Sequence, residues 1–355
     1  MNLLSRYLMR TILLSTALVL AVLLALAALF QFIGNLDDVQ GDFGIPQALL
    51  YAALRLPQIS FEMLPMAALI GSLLGLGSLA SSSELVVMRT AGLSVPKLSG
   101  MVGLSGAVLL VITGLIGEII APPLDYFARN MRDEARNSQP GRSAAGNPAW
   151  VKDGPVILHL ERVNTEFEFG GVYLFRFNAD NTLRSIARAE NSGIDDNDRW
   201  ILENFRETRF QDDGVQVVSS SMAVESFDLD SDLLGITLVK PVSLSARGLM
   251  SYIDYLHKNE LSAVRYETEL WSRVATTATV AIMPVLALAF VFGSLRSAGA
   301  GSRLMIGVLI GLAYFLASEM LSNSGQVYNL DPAVVAWAPT LALVVVTTIA
   351  LSRVR

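Results

Sequence analysis

The sequence predicts a polytopic α-helical membrane protein with six spans, three and three, and an all-β domain inserted between the third and the fourth. Three observations predict it. First, six long apolar runs occur, about Thr11–Ile33, Ile59–Ala80, Leu98–Ala121, Trp271–Val291, Leu304–Leu321 and Ala333–Leu351. Each approaches or exceeds the eighteen to twenty residues that a helix needs to cross roughly 30 Å of hydrocarbon. Soluble helices seldom stay apolar around their whole circumference for so long. Second, a long polar stretch separates the first three runs from the last three. Third, several segments of that stretch alternate apolar and polar residues by twos between turn signals, the pattern of half-buried strands. The 52% hydrophobic content agrees with this class.

The first run follows Arg6 and Arg10 and contains Ala25-Leu26-Ala27, which raises the question of a cleaved signal peptide. Signal h-regions are about 7–15 residues long. This run extends through Phe30 and Phe32 to Ile33, so a retained spanning helix is expected. The domain boundaries are then 1–124 for the first three spans with a short helix over 82–92, 125–262 for the β domain with flanking helices, and 263–355 for the last three spans.

Charge sets the orientation. With the N-terminus inside, the inner segments carry Arg6, Arg10, Arg89, Lys97, Arg296, Arg303, Arg353 and Arg355, whereas the two short outer loops carry only Arg55. The first outer loop is acidic, with Asp37, Asp38 and Asp42. This is the asymmetry of the positive-inside rule. Both termini are expected in the cytoplasm and the insertion on the opposite side, the periplasm of a bacterium with two membranes.

Within the insertion a helix is expected at Asp125–Arg136, then a linker at Asn137–Pro148. Strands are expected at Pro155–Val163, Gly171–Phe177, Leu183–Ala189, Arg199–Phe205, Thr208–Gln211 and Val215–Phe227, and a helix at Ser245–Leu261. Asp153-Gly154, Gly170-Gly171, Asp180-Asn181, Asp195–Asp198 and Asp212-Asp213-Gly214 supply turn chemistry between them. Closely spaced strands with tight turns predict a sandwich or jelly roll.

Several function classes fall away. The chain has no cysteine, which excludes disulfides, thiolate metal sites and cysteine nucleophiles. Its two histidines, His159 and His257, are far apart, and His159 reads as a packed or edge residue of a strand. A net charge of −6 argues against nucleic acid. No Ser/His/Asp grouping is evident in the insertion, so a non-enzyme is expected. Gly92-Leu93-Ser94-Val95-Pro96-Lys97 lacks the second glycine and the Ser/Thr of a Walker A loop. The chain is expected to bind no cofactor, and any ATP and Mg²⁺ used would belong to another subunit.

In the membrane part, Gly71…Gly75 and Gly307…Gly311 have the spacing that lets two helix backbones approach closely. Glu118 and Glu319 stand out as ionisable groups in apolar stretches, and each lies near the outer end of its run, where an interfacial place is expected. Between the second and third runs, Ser81-Ser82-Ser83 can cap a short helix with Glu84 in its first turn. Leu85, Val86, Val87 and Met88 give it an apolar surface, Arg89 suits its last turn, and Gly92 with Pro96 ends it. Pattern alone supports equally a docking element for a partner and a connector lying on the bilayer surface.

Pro65-Met66-Ala67-Ala68-Leu69-Ile70-Gly71-Ser72-Leu73-Leu74-Gly75-Leu76-Gly77 and Ser83-Glu84-Leu85-Val86-Val87-Met88-Arg89-Thr90-Ala91-Gly92 together resemble blocks of the lipopolysaccharide-export permeases, the LptF/LptG (YjgP/YjgQ) family. Gly117-Glu118…Ala121-Pro122 and Phe290-Val291-Phe292-Gly293-Ser294-Leu295-Arg296 match further blocks. The first block and Ala149-Trp150-Val151-Lys152-Asp153-Gly154 side with the LptG branch. The resemblance implies an ABC-transporter permease of the bacterial inner membrane that extracts lipopolysaccharide. It also implies a homologous LptF-like permease, an LptB-like ATPase dimer and a periplasmic bridge of LptC-like and LptA-like proteins. It assigns ATPase coupling to Ser83, Glu84, Leu85, Val86, Met88 and Arg89. The first and fifth spans form lipid gates in the family, which makes Phe30, Phe32, Ile33, Tyr314 and Glu319 candidates. Some relatives place lysines after the first span where this chain has Asp37 and Asp38, so phosphate pairing is not carried over there. A lipoprotein-release or other lipid or peptide efflux permease is the alternative, though such proteins usually have four spans.

Overall fold

In a computed structural model the chain is described over residues 3–36, 43–137, 149–161, 171–195, 199–211, 213–227, 241–293 and 299–353. It divides into two compact units. One comprises Met1–Val39, Gly44–Asn130 and Val264–Arg355, and the other Gln40–Phe43 and Met131–Ala263.

The first unit is helical: α1 (Leu3–Gly34), α2 (Ile45–Ser81), α3 (Glu84–Thr90) and α4 (Val95–Leu115). A π turn at Ile116–Ile120 carries α4 into α5 (Ala121–Asn137). Among the described residues six stretches are long and apolar enough to cross a membrane: Leu3–Gly34, Ile45–Ser81, Val95–Arg132, Val264–Phe292, Ala300–Tyr328 and Pro332–Ser352. The 37 residues of α2 extend about 55 Å at 1.5 Å per residue, so the helix is longer than the hydrocarbon is thick.

Helix α2 is the hub of this unit. Of its most apolar window 72% is buried, against 17% for Leu3–Gly34 and 11% for Ala300–Tyr328. Leu64, Leu69, Leu73 and Leu76 of α2 share one core with Leu8 and Ile12 of α1, Leu98 and Val102 of α4, and Met283 and Leu286. The glycine pairs do the packing expected of them. A Cβ on Gly71 would collide with the backbone of Thr16, and one on Gly75 would lie 2.8 Å from Ser15 Oγ. A Cβ on Gly311 would lie 2.6 Å from Met66 Cγ, and one on Gly307 would lie 3.0 Å from Ile70 Cγ1. Two other helices therefore approach α2 where side chains are missing.

Among its described residues the second unit carries seven strands, β1 (Ala149–Asp153), β2 (Val156–Leu160), β3 (Val172–Phe177), β4 (Leu183–Ala189), β5 (Asn191–Ile194), β6 (Trp200–Gln211) and β7 (Gly214–Glu225). They form one antiparallel sheet in the order β1-β2-β3-β4-β6-β5, with β7 on β6. Strand β6 pairs β5 through Trp200–Glu203 and β4 through Arg206–Arg209. Between these stretches Asn204 takes φ +50°. The two strands expected at Arg199–Phe205 and Thr208–Gln211 are thus one strand with a kink. Strands β1 and β5 are additions to the sequence reading. Asn191-Ser192-Gly193 has low strand propensity, and pairing with β6 overrides it.

One face of the sheet is closed: Val151, Leu158, Leu174 and Ala187 lie opposite one another in register and are buried. The edge strand β1 is covered by helix α6 (Ala246–Lys258). Tyr255 Oη accepts from Lys152 N at 3.2 Å and donates to Lys152 O at 2.8 Å, and Asn259 Oδ1 accepts from Gly154 N at 2.8 Å. A phenol thereby takes the place of a neighbouring strand and blunts the edge. Burial pushes the Tyr255 hydroxyl up to about 12, so it stays protonated and able to donate. After α6 come α7 (Val264–Phe292), α8 (Ala300–Tyr328) and α9 (Pro332–Ser352) of the first unit.

The expected turns at Gly154 (φ +54°), Asn181 (φ +62°) and Gly214 (φ +155°) have positive φ. Gly170, residues 196–198 and Asp212 lie outside the described residues, as do Asp37, Asp38, Asp42 and Ser294-Leu295-Arg296.

Candidate functional site at the α2–α3 elbow

The elbow is built by a left-handed residue. Ser83, at φ +64°, reverses the chain between α2 and α3. No serine side chain caps α3. Ser81 Oγ donates to Gly77 O at 2.8 Å, and Ser82 Oγ bonds Leu79 O and Glu84 Oε1. Helix α3 is seven residues long, shorter than the expected 82–92, and ends before Gly92 at φ +91°.

Glu84 occupies the first turn of α3, where partial positive charge favours its carboxylate. Tyr7 Oη of α1 donates to Glu84 Oε2 at 2.8 Å, and Ser82 Oγ donates to Oε1 at 2.9 Å. Leu85 and Met88 turn into the bundle core and are buried, so they hold α3 in place. Val86 and Val87 are exposed, which leaves them with Glu84 as the outward face. The Arg89 guanidinium lies 5.4 Å over the ring of Phe292, at the end of α7. An open groove of about 770 Å³ runs between α1 and α3, lined by Leu3, Tyr7, Arg10, Glu84, Val87 and Met88. On the other side Arg303 of α8 reaches Ser81 Oγ at 3.1 Å, passing where a Cβ on Gly77 would sit. The elbow is therefore tied by one polar side chain each to α1 and α8.

The five gate candidates do not form one site in the single chain. Phe30 and Ile33 are exposed on α1, and Phe32 is half-buried. Tyr314 of α8 is half-buried, its hydroxyl 3.0 Å from Thr279 Oγ1. Glu319 is exposed and accepts from Asn323 Nδ2 at 3.2 Å.

A second polar layer lies in the same unit. Arg273 of α7 is buried, donates to Gly117 O in the π turn at 2.9 Å, stands 5.4 Å over the Phe61 ring and pairs with Glu269 at 3.8 Å. The buried Asp125 carboxylate accepts from Arg55 at 3.1 Å and Arg129 at 2.7 Å. Glu118 and Glu319 stand out in the sequence, whereas Arg273 and Glu62, whose Oε1 accepts from Gln58 Nε2 at 3.0 Å, do not. Yet both lie inside the second and fourth apolar runs, and that is the signal by which they are found.

Six spans, interrupted once by a β domain and bearing a short helix at the turn between the second and third, define a permease-type polytopic membrane protein. Residues 6–353 match the model of the lipopolysaccharide export system permease LptF/LptG. The chain is 32% identical to the lipopolysaccharide export system permease protein LptG of Haemophilus influenzae, over 100% of this chain and 99% of that one. It is 32% identical to LptG of Escherichia coli K12, over 99% and 98%, and 23% identical to LptF of the same organism, over 95% and 91%. The chain belongs to the LptF/LptG permease family.

Proposed function

We propose that this chain is a permease subunit that extracts lipopolysaccharide from the inner membrane and passes it to a periplasmic β bridge. A homologous LptF-like permease pairs with it, and an LptB-like ATPase dimer supplies the energy. Both termini lie in the cytoplasm and the β domain in the periplasm, continuous with LptC-like and LptA-like proteins. The observation that carries this reading is the full-length match to LptG proteins, supported by α3 standing at the elbow where the positive-inside rule places the cytoplasm.

The physics of the cargo agrees. At about 0.8 kcal/mol per CH₂, one acyl chain of some fourteen carbons resists transfer to water by roughly 11 kcal/mol. Several such chains must stay shielded at every step. The sparsely buried helices α1 and α8 offer apolar surface for that purpose, with Phe30, Phe32 and Ile33 on the first, Tyr314 and Glu319 on the second. Glu84, Val86, Val87 and Arg89 meet the ATPase, while Ser83, Leu85 and Met88 fix the angle at which α3 is presented. Affinity purification in mild detergent tests the assembly: an ATPase and a second permease should co-purify, and the reconstituted complex should release lipopolysaccharide from vesicles only with ATP. ATP-independent release, or purification without an ATPase, would overturn the reading.

A further inference from the structure

The exposed face of the β sheet carries a continuous row of directly opposed residues, one per strand: Trp150 on β1, His159 on β2, Tyr173 on β3, Arg188 on β4, Arg206 on β6 and Ser219 on β7. The rings are in contact along the row. Trp150 and His159 lie 4.4 Å apart, His159 and Tyr173 6.0 Å apart, and the Arg188 guanidinium stands 5.2 Å over the Tyr173 ring. Trp150 is 62% exposed, which is costly for so large an apolar surface unless something covers it.

The row breaks a local rule at Arg188 and Arg206. Like charges directly opposite across an antiparallel pair destabilise it. Arg188 has a long 3.9 Å contact with Glu161, and Arg206 is exposed with no ion pair among the described residues. Beside them the chain is strained. Asn204, at φ +50° in the kink of β6, is a non-glycine residue in the left-handed region, held by a 3.0 Å bond from its Nδ2 to Glu190 Oε2. Opposed guanidinium groups with only one long ion pair between them, beside a left-handed residue, are the kind of local conflict that functional sites retain. A groove of about 610 Å³ opens there, lined among others by Tyr173, Arg188, Asn204, Arg206 and Ser219, and by Glu190, whose carboxylate is engaged by the Asn204 amide.

We infer that this corner of the β domain binds the anionic sugar headgroup of the exported lipid. Two guanidinium groups take a phosphate or carboxylate as forked donors, and the Ser219 hydroxyl and the Asn204 amide suit sugar hydroxyls. The ring row beside them offers flat apolar faces for the sugar rings. The opposite face of the sheet is buried, so headgroup and acyl chains would part to opposite sides. The inference rests on the lipopolysaccharide reading above, which supplies a lipid with a charged oligosaccharide.

The test uses the full chain with its co-purified partners in detergent. Deacylated, phosphorylated core oligosaccharide is titrated by calorimetry, with its dephosphorylated form and inorganic phosphate as comparisons. The phosphorylated oligosaccharide should bind. An Arg188→Gln/Arg206→Gln double variant should lose about tenfold or more, with unchanged melting temperature, and Arg206→Lys should retain most of the binding. Removing the phosphates should weaken binding similarly, and raised salt should as well. Equal binding by the double variant, no binding by the wild type at millimolar concentration, or inorganic phosphate binding as tightly as the oligosaccharide would each overturn the site. ATP-driven release of lipopolysaccharide from vesicles is measured in parallel. Release without oligosaccharide binding sinks the site alone; oligosaccharide binding without release keeps the sugar site and removes the export reading.

Discussion

Tyr7 and Glu84, 77 positions apart, are joined by a 2.8 Å hydrogen bond that ties the first spanning helix to the elbow helix α3. The carboxylate is thus already engaged within the chain when a cationic partner approaches. On the docking proposed above, a cation of the ATPase would compete with Tyr7 for this carboxylate.

Tyr7→Phe removes that competition. The bond is exposed and screened by solvent, so ATPase affinity should rise modestly while the fold is unchanged. Glu84→Lys places a cation at the positive end of α3 and should abolish co-purification of the ATPase. Normal co-purification together with normal transport in Glu84→Lys would refute the docking role.

The glycine contacts predict unequal costs for equal substitutions. Gly71→Ala drives a methyl group into the backbone of Thr16, and overpacking of this kind costs about 1–3 kcal/mol. Gly100→Ala meets nothing within 4 Å and should be neutral or slightly stabilising, since alanine exceeds glycine in helix propensity by up to about 1 kcal/mol. Thermal unfolding in detergent distinguishes them; equal melting temperatures would mean that α1 and α2 do not pack through Gly71.

The spanning helices were legible because bilayer thickness imposes a length that no other constraint imitates. Strands β3, β4 and β7 were legible through their period of two. The kink at Asn204 was not, because the sequence around it reads as two strands and only pairing with both β4 and β5 joins them into one. At the elbow, Glu84 was legible from the dipole argument. The inward turn of Leu85 and Met88 was not, because seven residues are too few for periodicity to assign faces. Tyr7 and Arg303 were beyond reach, since nothing local says that an aromatic or a cation two or more helices away will return to the same turn.

The β domain should lose stability in acid through Glu207. Burial raises its carboxyl, but hydrogen bonds from Arg209, Ser185 and Arg176 outweigh it and hold the group below its usual range. Arg176 Nη1 and Ser185 Oγ reach Oε1 at 2.6 and 2.7 Å, and Arg209 Nε reaches Oε2 at 2.9 Å. With the folded value depressed, the unfolded chain binds more protons in this window. The contribution is therefore complete above the unfolded value of about 4.3 and is lost as pH falls through the lower folded value. Glu207→Gln should lower the melting temperature at pH 7 and flatten its dependence on acid. An unchanged acid profile would show that Glu207 is not the linked group.

Arg273 should prove a positioning residue of the helical unit. The π turn at Ile116–Ile120 shifts backbone hydrogen bonding, and Arg273 Nη1 gives Gly117 O a partner at 2.9 Å. The same guanidinium covers Phe61, whose ring lies where a Cβ on Gly117 would sit, so α2, the π turn and α7 meet at one point. Arg273→Ala leaves a buried carbonyl unpaired and the Glu269 carboxylate without its 3.8 Å partner. Stranding one member of a buried pair costs about 3–5 kcal/mol, a large share of a domain's stability. Arg273→Ala/Glu269→Gln should recover part of that loss because neither member of the pair is left as an unpartnered charge, and the double-mutant cycle should show coupling above about 1 kcal/mol. Additive losses would mean that Arg273 acts through Gly117 alone, and a stable Arg273→Ala variant would mean that the π turn holds without it.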